Sequence, residues 1–159
     1  MNTPGKPIYS LDSSSLISAW TDSYVIQQFS SFWERLDGLA AEGRALVSEE
    51  VYEEIAKKAD ELFAWMKART HMVVPHTDDI QDGVSEILAS HPLLIKAVGV
   101  NRSGADPFVI SLARCRRATV ISQELHGSLT KPKIPDVCGH YQVPCERLRF
   151  LIATEGWTF

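Results

Sequence analysis

Three short apolar runs constrain this chain most: IYSL at 8–11, ALVS at 45–48 and ATVIS at 118–122. Each reads as a strand, and long stretches with apolar residues at helical spacing separate them. SYVIQQFSSFWERLDGLAAEGR carries Val25, Phe29, Phe32, Trp33, Leu36 and Leu39 on such a pattern, with Gly43 as its stop. SEEVYEEIAKKADELFAWMKAR is the clearest helix: Ser48 caps it, acids crowd its first turn, Lys67 and Arg69 close it, and Val51, Ile55, Leu62 and Met66 form its stripe. The order β-α-α-β-α leaves room for the crossovers that parallel pairing needs. The expected fold is therefore α/β, with a central parallel sheet covered by helices on both faces.

Further elements follow the same logic. TDDIQDGVSEILASHP, LLIKAVG and ADPFVISLARCRR are expected helices, the last with Asp106 at the cap and Pro107 at the first helical position. HGSLTKPKIPD is expected to be a loop broken by Gly127, Pro132 and Pro135. A short strand near Tyr141–Val143 and a last helix in ERLRFLIATEG complete the reading. Phe29, Phe32, Trp33, Phe63, Trp65 and Cys115 are expected in the core, with Trp20 a residue that could dock a partner helix.

The 159 residues, with 45 % hydrophobic content, suit one domain spanning 1–159. No signal-peptide pattern follows Lys6, no apolar run is long enough for a bilayer, and Cys115, Cys138 and Cys145 form no C-x-x-C pair. Free thiols, a cytoplasmic location and no membrane association are the expectations. His71 and His76, with Cys138, His140 and Cys145, match no standard zinc finger.

Net charge is −4, but unevenly spread. The first 95 residues carry 7 Lys and Arg against 15 Asp and Glu; the remaining 64 carry 9 against 5, among them Arg102, Arg114, Arg116, Arg117, Lys131, Lys133, Arg147 and Arg149. Such asymmetry is common on solvated surfaces, yet it also suits an acidic metal site beside a phosphate backbone. Arg114, Arg116 and Arg117 are candidates for RNA contact, or simply complement the dipole at a helix end.

In an open parallel sheet, ligands bind beyond the carboxyl ends of the strands. Asp12 follows the first strand, Ser122, Gln123 and Glu124 follow ATVIS, and the helix after Ser48 offers Glu49, Glu50, Glu53 and Glu54. Asp106 opens a helix at what is expected to be the same edge. Clustered carboxylates raise one another's pKa and call for a cation; oxygen donors alone suit Mg²⁺ or Mn²⁺. The hydroxyls of Ser13, Ser14 and Ser15 could steady such a site. Asp12 and Asp106 also suit helix caps, and a carboxylate has oxygens enough for both roles.

LDSSSLI resembles the LDTNVLI opening of PIN-domain ribonucleases, and VSEEVYEEI, GADPFVISLA and TVISQE resemble their next three motifs in order. KIPDVC, with its short spacer to VPC, resembles an uncharacterised PIN-like branch of bacteria and archaea. The resemblance covers nearly the whole chain. It implies a three-layer PIN-like domain and a Mg²⁺- or Mn²⁺-dependent endoribonuclease that hydrolyses RNA by metal-activated water. Asp12, Glu54, Asp106 and Glu124 would be the catalytic and metal-binding acids, with Ser14, Ser122 and Asp136 in support. Glu124 and Asp136 compete for the fourth position, with Glu124 favoured because it follows the strand directly. The resemblance also implies the toxin of a toxin–antitoxin pair, with a protein antitoxin as partner and a homodimer as a further assembly. Ser14 stands where most members of that family have Asn, which keeps a non-catalytic PIN-like binding module as the alternative. A phosphotransferase with Asp12 as nucleophile is disfavoured, because that class usually carries a second aspartate where Ser14 stands.

Overall fold

A computed structural model describes residues 5–58, 60–95 and 104–159. Five parallel strands form the sheet among these residues: β1 (Tyr9–Leu11), β2 (Ala45–Ser48), β3 (Val73–Val74), β4 (Thr119–Ile121) and β5 (Cys145–Glu146). Their order across the sheet is β3-β2-β1-β4-β5. Tyr9 lies between Ala45 and Thr119, and Ser10 between Leu46 and Val120. The chain therefore builds outward from β1 in one direction, then crosses over and builds outward in the other. The switch point falls between β1 and β4, where a parallel sheet opens a crevice at its carboxyl edge.

Eight α-helices are described: α1 (Ser13–Ser18), α2 (Ser30–Ala41), α3 (Glu49–Lys58), α4 (Asp60–Lys67), α5 (Asp78–Ser90), α6 (Asp106–Arg116), α7 (Ile134–Tyr141) and α8 (Leu148–Thr154). Val51, Ile55, Leu62 and Met66 are wholly buried, so the expected stripe runs through α3 and α4. Ser48 caps α3, its Oγ accepting from the N–H of Val51 at 3.2 Å. Trp33 and Phe32 are among the largest fully buried side chains. Trp65 is buried with them, Phe29 and Phe63 pack at the margin, and Trp20 meets Trp33 edge-on at 4.8 Å. Cys115 packs against a smaller cluster of Val74, Ile80 and Leu112.

Several elements differ from the sequence expectation. Residues 24–29 do not continue α2 toward its N-terminus. The Trp33 indole donates to the Tyr24 carbonyl at 2.7 Å, and Tyr24 stacks on Phe32, so these side chains hold the segment in a turn. Asp106 is the first helical residue of α6, and Ala105 is its cap. Pro135 starts a helix rather than breaking one: it sits in the first turn of α7, where a missing N–H costs nothing. The strand expected near Tyr141–Val143 lies instead at Cys145–Glu146, because Tyr141 ends α7 and Gln142 turns left-handed with φ of 56°. Strand β3 has only two residues, too few for alternation to show. Of the expected helix LLIKAVG, Pro92–Leu94 forms a single 3₁₀ turn, and residues 96–103, Arg102 included, lie outside the described residues.

Helices α5 and α6 pack closely at Gly83. A Cβ there would fall on the Ser111 hydroxyl and 3.2 Å from its Cβ. Ser111 is fully buried and donates to the Ile80 carbonyl at 2.7 Å. Gly83→Ala is expected to displace that hydroxyl and destabilise the protein by about 1–3 kcal/mol. Equal urea midpoints for the variant and the parent would contradict this close approach.

Candidate functional site

Chain direction alone puts Asp12 at the carboxyl edge of the sheet, one residue beyond β1. Its backbone N–H still bonds across to the Ile121 carbonyl at 2.9 Å, so β4 fixes its position. The side chain is 2 % exposed and makes no cap bond to α1. Instead its Oδ2 accepts from the hydroxyls of Ser14 at 2.6 Å and Ser122 at 2.9 Å. Those hydroxyls are positioned in turn: Ser14 Oγ accepts from the N–H of Gln123, and Ser122 Oγ from the N–H of Glu124. Ser15 turns back onto the Asp12 carbonyl at 2.7 Å. The serines after β1 therefore do two separate jobs: Ser14 holds the carboxylate, and Ser15 closes the turn into α1.

Asp12, Glu54, Asp106 and Glu124 line one cleft of about 770 Å³. They come from the end of β1, from α3, from the start of α6 and from the segment after β4. Burial pushes the Asp12 carboxyl up to about 6, and the negative charges of Glu124 and Glu54 add to that rise against the pull of the Ser14 and Ser122 hydroxyls. Asp106 is 9 % exposed. Glu54 pairs with Lys58 at 2.9 Å, and Glu124 accepts from the N–H of Ile134, at the start of α7. Among the described residues, no three carboxylate, imidazole or thiol groups converge as an ion-binding set. The donor chemistry nonetheless fits a hard divalent cation: the acids are all oxygen donors, and Glu124 and Glu54 raise the charge cost of Asp12. Lys58 engages one oxygen of Glu54 and the Ile134 amide one oxygen of Glu124, and a carboxylate has two oxygens to offer such a set.

Asp136 stands apart from this cleft and fastens the loop before α7. Its Oδ2 accepts from the N–H groups of Gly127 at 2.7 Å and Lys133 at 2.8 Å, and its Oδ1 meets His126 Nδ1 at 2.8 Å. Burial raises this carboxyl, but those donors more than offset it and leave it below the ordinary carboxylate range. Among the described residues, the cations lining the cleft are Lys58, Lys131 and Lys133. Arg114, Arg116 and Arg117 sit at the other end of α6 from Asp106, roughly 15 Å along the helix axis. Arg114 pairs with Glu86 at 3.0 Å and lies over the Tyr141 ring. In the sequence Lys58 reads as an ordinary i, i+4 partner of Glu54, and Lys131 and Lys133 sit among loop prolines.

The profile of the family described as "Domain of unknown function (DUF4411)" matches residues 9–159. The chain belongs to the DUF4411 family. No curated protein gave a match. Among solved structures, this DUF4411 chain is similar to VapBC2 from Rickettsia felis, crystallised bound to a DNA fragment from their promoter. The two share 13 % identity at a TM-score of 0.52, over 88 % of this chain and 98 % of that one. That likeness is one of fold: α/β and PIN-like, with the central parallel sheet flanked by helices. No helix among the described residues is long and apolar enough to cross a membrane.

Proposed function

We propose that this DUF4411 protein is a divalent-metal-dependent endoribonuclease, with Mg²⁺ or Mn²⁺ as cofactor and RNA as substrate. One observation carries the reading: acids from four distant segments line a single cleft at the switch point of a parallel sheet, around a buried Asp12. Asp12, held by Ser14 and Ser122, is the central ligand, and Asp106, Glu54 and Glu124 supply the remaining oxygens. When bound, the cation lowers the pKa of water and neutralises charge on a phosphodiester. Lys58, Lys131 and Lys133 face the incoming phosphates. Asp136 is a positioning residue, because it holds the loop that carries the two later lysines.

The fold likeness to VapBC2 supports a toxin role in the cytoplasm, with a protein antitoxin as partner. The alternative, a PIN-like binding module without catalysis, draws on the lack of three converging ligands among the described residues. The deciding experiment incubates purified protein with total tRNA and ribosomal RNA in Mg²⁺, in Mn²⁺ and in EDTA. Cutting confined to the metal-containing reactions is expected. A folded, partner-free protein that neither cuts nor binds Mn²⁺ is the binding module.

The same reading predicts where cations matter. Lys131→Ala with Lys133→Ala should weaken single-stranded RNA binding and flatten its log–log salt dependence by about 0.7 for each phosphate no longer neutralised. Arg114→Ala should leave that slope unchanged. Binding titrations from low to high salt would decide, and the opposite pattern would move the RNA path to the far end of α6.

A further inference from the structure

A second cleft, of about 560 Å³, adjoins the first. Gly127 and Ser128 line both, so one loop forms the partition between them. Beyond that loop the second cleft is walled by His91 and Ser90 at the end of α5, His140 on α7 and Leu129 at the loop tip. None of these residues belongs to the acidic site.

We propose that this cleft is a base-binding subsite, which takes the base of a single-stranded ribonucleotide whose adjoining phosphate is held by Lys131 and Lys133. The inference rests on the ribonuclease reading and adds to it a contact with the substrate's bases. Its first support is the shared wall: a strand whose phosphate lies on Lys131 and Lys133 can place a neighbouring nucleotide across Gly127 and Ser128. The second is the lining. His91 and His140 both line the cleft and meet edge-on at 4.7 Å, so two imidazole rings are grouped on one side. Unstacked RNA bases are recognised by stacking on such rings. Ser90 fixes His91 through Nδ1 at 2.8 Å and also bonds the Tyr141 hydroxyl. Burial, and then the neighbouring His140, hold the His91 imidazole below its ordinary value, so it stacks as a neutral ring at pH 7.

The third support is the loop itself. Leu129 is 97 % exposed, an apolar side chain presented at the rim of the cleft. The loop that presents it is built in advance. Asp136 ties Gly127 to Lys133, Ser128 and Lys131 exchange backbone bonds at 3.2 Å, and a side chain at Gly127 would collide with the Lys131 carbonyl. One rigid loop thus offers lysines to the first cleft and an apolar tip to the second. The cavity also lies within the ordinary range of roughly 300–1,000 Å³ for small-ligand sites.

The test follows the imidazole signals of wild-type protein by NMR in EDTA, where no cutting occurs. His91→Gln and His140→Gln assign the two signals, and His71 serves as reference. Each of the four ribonucleoside 5′-monophosphates is added, with ribose 5-phosphate as the baseless probe. Nucleotides are expected to shift His91 and His140, and ribose 5-phosphate to leave both in place. His140→Ala, at an exposed position, should keep its melting temperature and bind a short single-stranded RNA about tenfold to a hundredfold more weakly, the range for one lost stack. Silence of both histidines toward all four nucleotides, or unchanged RNA affinity in His140→Ala, overturns the proposal. The two ideas fail separately. Histidine shifts in a protein that cuts no RNA would keep the subsite and reject the nuclease, and metal-dependent cutting with silent histidines would do the reverse.

Discussion

Asp12→Asn is expected to abolish RNA cleavage and, in chelator at neutral pH, to make the protein more stable. The two effects have one cause. The carboxyl titrates at about 6 in the folded protein against 3.8 ordinarily, with burial as the largest contribution. Near pH 3 it is protonated in both folded and unfolded chains and costs nothing. As pH rises from about 4 to 6 the unfolded chain releases this proton first, so the folded state loses stability through that window. Above it the loss is constant, at roughly 3 kcal/mol. Asparagine removes the charge and keeps an oxygen to accept from Ser14 and Ser122. The variant should therefore melt higher than the parent at pH 7.5, and the two should converge near pH 3. Added Mg²⁺ should raise the parent and leave the variant unmoved, because the ligand that needs the cation is gone. A variant less stable than the parent at pH 7.5, or a gain that ignores pH, would remove Asp12 from the role of strained central ligand.

Glu155→Ala should produce the largest loss of stability. Arg44 is 3 % exposed, and its Nη2 meets Glu155 Oε2 at 2.5 Å. Nε donates to the Pro7 carbonyl at 2.8 Å, and Nη1 reaches the more exposed Glu42 at 3.1 Å. The Tyr9 hydroxyl donates to the same Glu155 oxygen at 2.7 Å, and burial, with that contact, pushes its pKa well above the ordinary value. Removing Glu155 leaves a buried guanidinium largely uncompensated and a phenol without its acceptor. Breaking one side of a buried pair costs about 3–5 kcal/mol. Replacing both partners at once, Arg44→Met with Glu155→Leu, should recover most of that, because neither charge then remains to be desolvated. Urea unfolding of the single and double variants measures this directly. A loss under about 1 kcal/mol in Glu155→Ala would mean that water or Glu42 already satisfies Arg44.

The pair also shows where reading a sequence stops. Arg44 and Glu155 are 111 positions apart, and neither belongs to a motif. The same holds for Ser122 and Asp12, 110 positions apart: each could be placed at a strand end, but not in contact with the other. Lys131, Lys133 and the paired imidazoles His91 and His140 carry no local pattern that marks them, and Lys58 carries only that of an i, i+4 pair. Asp136 reads in the sequence as a rival of Glu124 for the fourth acidic position and not as the clamp of a loop, since that role depends on Gly127 nine positions earlier.

What the sequence determined by itself was local. Apolar runs of three or four residues, helical stripes, and the acid or hydroxyl that follows a strand all depend on neighbours within a turn or two. They were enough for an α/β fold, for β1, β2 and β4, and for the positions of Asp12, Asp106 and Glu124 at the ends of their elements. Elements of two residues, and a helix opened by the proline expected to break it, fell below that signal. Only the tertiary structure decided the strand order β3-β2-β1-β4-β5, and with it which segments meet at the crevice. Sheet order rests on packing between residues far apart in the chain, so no window of sequence contains it. Among the described residues that order gathers three further acids and three lysines around Asp12 and leaves Arg114, Arg116 and Arg117 at the opposite end of α6.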